Sequence, residues 1–192
     1  MYDVAIIGCG VIGAAAAYAL SRYDNKVVIL EAENDVADCT TKANSAILHA
    51  GYDPEPGTRM ARLNVEGSAL AKEICARLDV PYLQCGSLVL ALSPEELPHL
   101  QKLYENGIAN GVPGIRLLSA EETLAMEPNL SDQVLAALYA PTAGIVCPFE
   151  LNIAMAENAY NNGVEFKFDT EVKNIRKQEN GCVVETSKGD FE

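Results

Sequence analysis

Three glycines near the start of the chain have the spacing of a nucleotide-binding turn. Gly8, Gly10 and Gly13 form the pattern GxGxxG, and an acidic residue, Glu31, follows about 20 residues later. Glycine permits a tight turn and a close approach of the backbone to a diphosphate, whose negative charge is attracted by the N–H groups at a helix start. The carboxylate of Glu31 can accept hydrogen bonds from a ribose. The arrangement therefore predicts a dinucleotide site.

The glycine pattern has this meaning only where a strand precedes it and a helix follows it. Val4 to Ile7 are apolar without alternation, so residues 2–8 predict a fully buried strand. Residues 11–22 are rich in alanine and predict a helix, and 26–31 predict a second buried strand. Together these elements form a parallel βαβ unit. The alternative is a glycine-rich turn that holds no ligand. This alternative is disfavoured because the predicted strand, the predicted helix and Glu31 all have the positions that the dinucleotide-binding motif requires.

The segment 32–56 shows neither helical nor strand periodicity, and most of its residues are small or polar. Loops of this length inside a compact domain are usually functional or carry short helices. A simple NAD-binding domain would more commonly continue with another βα repeat at this point. A small polar loop that runs along the bound dinucleotide favours FAD instead.

The remainder of the chain alternates predicted helices and strands. Predicted helices cover 58–78, 94–110, 119–127 and 149–162, and predicted strands cover 86–92, 134–139, 164–168, 171–177 and 182–186, with a turn at Asn180-Gly181. For the helix 58–78, the periodicity predicts core contacts by the large apolar residues Met60, Leu63, Val65, Leu70, Ile74 and Leu78.

Composition excludes several classes of function. The formal net charge of -13 disfavours binding to nucleic acid, whose phosphates the chain would repel. No apolar run reaches the ~20 residues needed to cross a bilayer, and no signal peptide is evident. The six cysteines include no CxxC pair and no spacing typical of a metal site, so no metal is predicted. We expect reduced thiols in a cytoplasmic protein, with peripheral contact at the inner face of the membrane as an open alternative.

Three stretches carry a resemblance to a known family. They are YDVAIIGCGVIGAAAAYAL, VVILEAE and TTKANSAILHAGYDPEPGT. They resemble the D-amino-acid-oxidase-type superfamily of FAD oxidoreductases, and within it most of all the FAD-dependent glycerol-3-phosphate dehydrogenases and L-2-hydroxyglutarate oxidases. The resemblance implies an α/β fold: a Rossmann-like FAD/NAD(P)-binding domain with a parallel sheet and helices, plus part of an α+β substrate domain.

The resemblance also implies a division of the chain. Residues 1–80 would be the first part of the FAD-binding domain, 81–143 part of the substrate-binding domain, and 144–192 the second part of the FAD-binding domain. Such proteins continue beyond this point, so the likeness implies an N-terminal fragment that would be inactive alone.

By the same resemblance, FAD would contact residues in five segments. These are Gly8, Gly10, Val11, Ile12, Gly13, Glu31, Ala32, Thr40, Thr41, Asn44, Ser45, His49, Ala50, Gly51 and Val172. The glycine turn and Glu31 would hold the ADP half, Thr40 to Ser45 the ribityl and phosphate part, and His49 to Gly51 the isoalloxazine ring. Val172 would give backbone contacts to the adenine side.

His49 is the candidate catalytic residue. Beside the flavin it could accept the hydroxyl proton of the substrate, while a hydride passes to the cofactor. Its alternative role is a histidine hydrogen-bonded to backbone in a tight loop. Lys42 could neutralise a cofactor phosphate or be a solvated loop lysine. Cys9 is expected to be a small packing residue rather than a redox thiol.

The resulting hypothesis is a dehydrogenase of a small 2-hydroxy compound, first of all glycerol 3-phosphate, which would yield dihydroxyacetone phosphate. The alternatives are L-2-hydroxyglutarate as substrate, an amino-acid or amine oxidase of the same fold, and a dinucleotide-binding fragment without activity. Oxygen, a quinone and an iron–sulfur protein all remain open as the electron acceptor.

Overall fold

The glycine-rich turn connects a strand and a helix, as the sequence predicts. The computed structural model describes all residues from 1 to 192. In chain order its elements are β1 (Val4–Ile7), α1 (Val11–Leu20), β2 (Val27–Leu30), β3 (Ile47–Leu48), α2 (Arg59–Arg77), β4 (Tyr82–Leu83), β5 (Ser87–Ala91), α3 (Leu97–Asn110), β6 (Arg116–Ser119), α4 (Ala120–Met126), β7 (Ala136–Ala140), β8 (Gly144–Val146), α5 (Pro148–Asn161), β9 (Glu165–Lys167), β10 (Val172–Gln178), β11 (Gly181–Thr186) and β12 (Gly189–Phe191). A short 3₁₀ helix, Pro94–Glu96, precedes α3.

Contacts between residues divide the chain into two units. The first unit comprises Met1–Ser45, Leu78–Val80 and Cys147–Glu192, and the second comprises Ala46–Arg77 and Pro81–Val146. The main difference from the predicted division is that 46–77 belongs with the second unit rather than with the start of the chain. The functional domains, 1–80 with 144–192 and 81–143, remain a prediction.

The first unit is built on a parallel sheet with the strand order β1-β2-β9. All four residues of β2 are buried, as expected for a central strand. Residues 2–8 were predicted to be fully buried, and that prediction is wrong, because β1 pairs only with β2 and its residues alternate in burial, with Ile7 52% exposed. Helix α1 packs against α5, and the alanines Ala14, Ala17 and Ala159 are fully buried there.

A second sheet of the first unit is the antiparallel β10-β11-β12. The predicted turn at Asn180-Gly181 lies where β10 and β11 connect. Val184 of β11 packs against Val28 and Leu30 of the parallel sheet. This contact covers part of one face of the parallel sheet, and α1 packs against β1 and β2, which gives the predicted α/β arrangement.

The second unit contains two antiparallel sheets, β3-β8-β4 and β5-β7-β6. Its core lies between β5, β7 and α3, and it also includes Ala50 and Tyr52. Helix α4 begins with the predicted capping box: the Ser119 hydroxyl accepts the N–H of Glu122, whose carboxylate accepts the N–H of Ser119.

Helix α2 corrects one prediction about the core. Among the large apolar residues predicted to be buried there, Met60, Leu63 and Leu70 are at least half exposed. The buried residues of α2 are the small Ala61, Ala71 and Cys75. The prediction relied on the large apolar residues, whereas the face of α2 that packs against the rest of the chain carries small ones.

None of the five α-helices combines the length and the apolar character that a bilayer crossing requires.

Candidate functional site

The three glycines of the turn are fixed by different geometric demands. Gly8 has a φ of +90°, which glycine adopts without strain. Gly10 is the extended N-cap of α1, and a Cβ atom there would lie 3.1 Å from the Thr41 hydroxyl oxygen. At Gly13 a Cβ atom would lie 2.0 Å from the carbonyl oxygen of Gly8, so only glycine lets α1 approach the end of β1 this closely.

The start of α1 presents backbone donors that the helix itself cannot satisfy. The N–H groups of Val11, Ile12 and Gly13 belong to the first turn, which has no preceding helical carbonyl to accept them. Val11 donates to the Thr41 hydroxyl over 3.0 Å. No acidic residue occupies the first turn. Because the helix dipole adds positive potential here, this end of α1 is suited to an anion such as a diphosphate.

Glu31 lies beside the same turn. One of its carboxylate oxygens accepts the N–H of Cys9 over 2.5 Å, and the other accepts the N–H of Glu33 over 2.9 Å. A carboxylate oxygen has two lone pairs, so each can accept one further hydrogen bond, as from a ribose hydroxyl. Ala32 follows Glu31 directly and is exposed.

The predicted polar loop contributes one buried hydroxyl to this place. Thr41 is 8% exposed and faces the start of α1. The Asn44 amide donates to the carbonyl of Thr41 over 2.7 Å and so braces the loop, whereas Thr40 and Ser45 are exposed. The Lys42 ammonium forms an ion pair with Asp38 within the loop. The positive charge of Lys42 is therefore already paired with Asp38, so a cofactor phosphate is not needed to explain this lysine.

The sequence did not predict one residue that contacts the glycine turn, Asn152. Asn152 of α5 is fully buried, and its side-chain amide donates to the carbonyl of Cys9 over 3.1 Å. The available signal was an asparagine enclosed by Leu151, Ile153 and Met155 in an otherwise apolar part of a helix. Such a residue needs a buried partner, but nothing in the pattern identifies a partner 143 positions away.

Cys9 itself is a packing residue with an inert thiol. It is fully buried, and burial raises the pKa of its thiol to about 12, with further increases from the charges of Glu31 and Asp35. A thiol with this pKa stays neutral at physiological pH, and the thiolate is the reactive form. Cys9 therefore contributes its backbone to the turn and not its sulfur. All six cysteines of the chain are free.

His49, Ala50 and Gly51 belong to the second unit. The Nδ1 atom of His49 lies 3.7 Å from the Asp53 carboxylate, and both side chains are about half exposed. Gly51 has a φ of +111°, and a Cβ atom there would lie 2.5 Å from a methyl group of Val65. The Asn110 amide donates to the carbonyl of Gly51 over 2.9 Å, which fixes this segment. The backbone after His49 is thus held in one conformation.

The structure thus places the predicted residues in two groups. The glycine turn, Glu31 and Thr41 come together within the first unit, and 49–51 form a braced segment in the second unit. Val172 begins β10 in the first unit, where it packs beside the cluster of Val28, Leu30 and Val184. Its backbone contact with adenine remains a prediction.

Comparison with known proteins identifies the family. The family model described as FAD dependent oxidoreductase, DAO, matches residues 3–192. The glycerol 3-phosphate dehydrogenase of Caloramator mitchellensis is 50% identical over 192 residues, which are 100% of this chain and 40% of that protein. The mitochondrial L-2-hydroxyglutarate dehydrogenase of Homo sapiens is 38% identical over 176 residues, which are 91% of this chain and 38% of that protein.

A solved structure agrees with these sequence relatives. The dithionite-reduced L-alpha-glycerophosphate oxidase from Mycoplasma pneumoniae, with FAD bound, has a TM-score of 0.90 and 35% identity to this chain, covering 97% of it and 50% of that chain. The chain spans 40% or less of the two curated relatives described above. The predicted resemblance, the fold class and FAD as the cofactor of the family are confirmed. The chain belongs to the DAO family of FAD dependent oxidoreductases.

Proposed function

We propose that this chain holds FAD in an enzyme that dehydrogenates a small 2-hydroxy compound. One observation carries the proposal: free N–H groups at the start of α1 and the carboxylate of Glu31 lie at the same glycine turn, 2.5 Å from Glu31 to the N–H of Cys9. In a dinucleotide the diphosphate and the ribose are covalently linked, so the N–H groups that bind the one and the carboxylate that binds the other must lie close together.

The residues present fit the cofactor. At Gly10 a Cβ atom would crowd the Thr41 hydroxyl, and the first turn of α1 contains no acidic residue that would repel an anion. The proposed contacts are Gly8, Gly10, Val11, Ile12 and Gly13 with the diphosphate, Glu31 and Ala32 with the adenosine ribose, Thr40, Thr41, Asn44 and Ser45 with the ribityl chain and phosphate, His49, Ala50 and Gly51 with the ring, and Val172 with adenine.

Glycerol 3-phosphate is the substrate that we propose first, with dihydroxyacetone phosphate as its product. The 50% identity to a glycerol 3-phosphate dehydrogenase supports this choice. L-2-hydroxyglutarate is the second candidate, supported by the more distant relative that acts on it. Both compounds carry a secondary alcohol and an anionic group, so a single reaction type serves either one.

The chain's own residues would position the reactants and handle the proton. FAD, when bound, supplies the redox chemistry by taking a hydride at its N5 atom. Asp53 faces Nδ1 of His49, which favours a proton on that nitrogen and leaves Nε2 free to accept the hydroxyl proton of the substrate. The brace from Asn110 to Gly51 would keep the histidine segment in place during this step.

The decisive experiment follows flavin absorbance in the purified full-length gene product under anaerobic conditions. Addition of glycerol 3-phosphate should bleach the oxidised flavin, and addition of L-2-hydroxyglutarate or glycine should not. Bleaching by L-2-hydroxyglutarate alone would transfer the proposal to that substrate. Bleaching by glycine would favour the amino-acid oxidase alternative. Protein purified without flavin, and unable to take up added FAD, would refute the cofactor assignment for this chain.

The role of His49 has its own test, with the other histidine of the chain as control. His49→Gln should lower kcat by about two to four orders of magnitude while FAD stays bound, because the proton acceptor is lost and the proposed FAD contacts outside His49 are kept. His99→Gln, at an exposed position on α3, should leave kcat unchanged. Steady-state kinetics with flavin content measured on the same samples checks this. Equal kcat in the two variants would rule out His49 as the base.

Partners and location complete the proposal. A small-molecule substrate and an electron acceptor are required by the chemistry, and oxygen, a quinone and an iron–sulfur protein stay open as the acceptor. The net charge of -13 supports the absence of a nucleic-acid partner. We keep the cytoplasm as the proposed location, with peripheral contact at the inner face of the membrane as the alternative.

A further inference from the structure

The carbonyl group of Cys9 is held by two elements that lie far from it in the chain. The amide nitrogen of Asn152 donates to this oxygen over 3.1 Å, and the backbone N–H of Ala37 donates to it over the same distance. The N–H of Cys9 donates a hydrogen bond to the carboxylate of Glu31. The backbone of the middle residue of the glycine turn is therefore fixed at its N–H and at its carbonyl oxygen.

An asparagine at position 152 would lower the stability of the fold if its side chain only filled space. Its side chain is fully buried between α5 and the turn, and its carbonyl oxygen, Oδ1, has no hydrogen-bond partner. A buried acceptor without a partner lowers stability, and an apolar side chain of similar volume would avoid that loss. Only the amide nitrogen can donate to the carbonyl of Cys9. The donor function therefore accounts for an asparagine at a fully buried position.

The held residue is adjacent to the anion-binding end of α1. Gly10 follows Cys9 as the N-cap, and the N–H groups of Ile12 and Gly13, which no helical carbonyl can accept, lie in the first turn after it. A rotation of the peptide group between Cys9 and Gly10 would reorient the N-cap and with it the donors that face the diphosphate. Donors fixed in advance bind an anion more tightly than donors that must be ordered on binding.

We propose that Asn152 is a positioning residue for the cofactor diphosphate, acting through the carbonyl of Cys9. This inference rests on the proposed binding of FAD. Asn152 itself touches no cofactor atom in this scheme. It sets the orientation of the turn before the cofactor arrives.

The test compares FAD affinity with folding stability in matched variants of the full-length gene product. Asn152→Leu removes the donor and keeps the branching and the number of side-chain heavy atoms. Thr123→Val is the control, because Thr123 is also fully buried and also donates one hydrogen bond to a backbone carbonyl, that of Ser119 over 2.7 Å, but lies in α4 of the second unit. The flavin-free proteins are titrated with FAD by fluorescence quenching, and unfolding by urea is measured on the same preparations.

We expect Asn152→Leu to raise the Kd for FAD about tenfold, the equivalent of one lost hydrogen bond. Thr123→Val should leave the Kd for FAD unchanged, even if its urea midpoint falls further than that of Asn152→Leu. Should Asn152→Leu fail to fold, Asn152→Ala removes the donor without adding volume, and its Kd should still exceed that of the wild type.

The outcomes separate this inference from the proposed function. Wild-type protein that binds no FAD refutes the proposed function, and the positioning role with it. Wild-type binding together with an unchanged Kd in the Asn152 variant refutes the positioning role alone. An equal loss of affinity in the Thr123 variant also refutes it, since the effect would then follow stability and not the turn.

Discussion

At Gly13 the requirement for glycine comes from lack of space. The carbonyl oxygen of Gly8 occupies the position that a side chain would need, because α1 starts so close to the end of β1. At Gly8 the requirement is conformational instead, since its φ of +90° disfavours any residue with a Cβ atom. The same sequence motif thus contains two different physical constraints.

Gly13→Ala should therefore lower the free energy of unfolding by about 1–3 kcal/mol and weaken FAD binding, because the new methyl group forces α1 away from the turn. Gly67→Ala is the matched control: Gly67 lies inside α2 with nothing within 4 Å of its missing Cβ atom. There alanine should raise stability by about 1 kcal/mol through its helix propensity. Urea unfolding measures both. A stabilised Gly13→Ala variant would contradict the packing of this turn.

The Cys9 thiol gives a second prediction at the residue scale. Burial raises its pKa from 9.0 to about 12, so the neutral thiol of the folded state contributes stability that is present below pH 9 and lost as the pH rises toward 12. The wild type should lose stability over that range relative to Cys9→Ala. Unfolding by urea at several alkaline pH values checks the sign. Parallel loss in both proteins would show that Cys9 does not titrate in this way.

Among the elements, the start of α4 is fixed by local chemistry. The side chains of Ser119 and Glu122 each accept the backbone N–H of the other residue. The hydrogen bond from the backbone of Ser119 is the main cause that lowers the pKa of the Glu122 carboxyl. The burial pattern of α2, by contrast, depends on what packs against it. Local capping was predictable for α4, whereas the buried face of α2 was not.

Ser119→Ala should destabilise the protein by about 1 kcal/mol, because the N–H of Glu122 loses its acceptor at the helix start. Ser119→Asp should restore most of this loss, since a carboxylate also accepts that N–H and suits the helix dipole. Thermal unfolding of the three proteins side by side checks the order. An aspartate variant no more stable than the alanine variant would show that the cap contributes little.

For the whole molecule, charge is the dominant collective property. The chain carries 27 acidic against 14 basic residues, and the ion pairs of the structure, such as Arg62 with Glu66, lie on exposed side chains. Exposed pairs each contribute little to stability. Repulsion among the excess carboxylates therefore outweighs them at low ionic strength.

We expect the melting temperature to rise when sodium chloride is increased from about 10 mM to about 150 mM, because the Debye length falls from about 30 Å to about 8 Å. Calorimetry at constant pH measures this. A matched series at pH 5, where carboxylates begin to protonate, should show a smaller rise. A melting temperature that falls with salt would mean that attractive pairs outweigh the repulsion.

The sequence by itself determined the βαβ unit, the glycine turn with its acid, the helix caps and the resemblance to FAD oxidoreductases. These features depend on residues close together in the chain or on long stretches of matching pattern. It also identified Glu31 as a residue of the turn, since the spacing after GxGxxG is characteristic.

Only the tertiary structure decided which residues hold the turn and which face of α2 is buried. Asn152 reaches Cys9 across 143 positions, and Thr41 reaches Val11 across 30. Periodicity reports which side of an element is apolar, but it carries no record of which distant element packs there. The Asn152 contact forms when α5 packs against α1, and the Thr41 contact forms when the loop 32–56 meets the start of α1, so no local pattern could reveal either one.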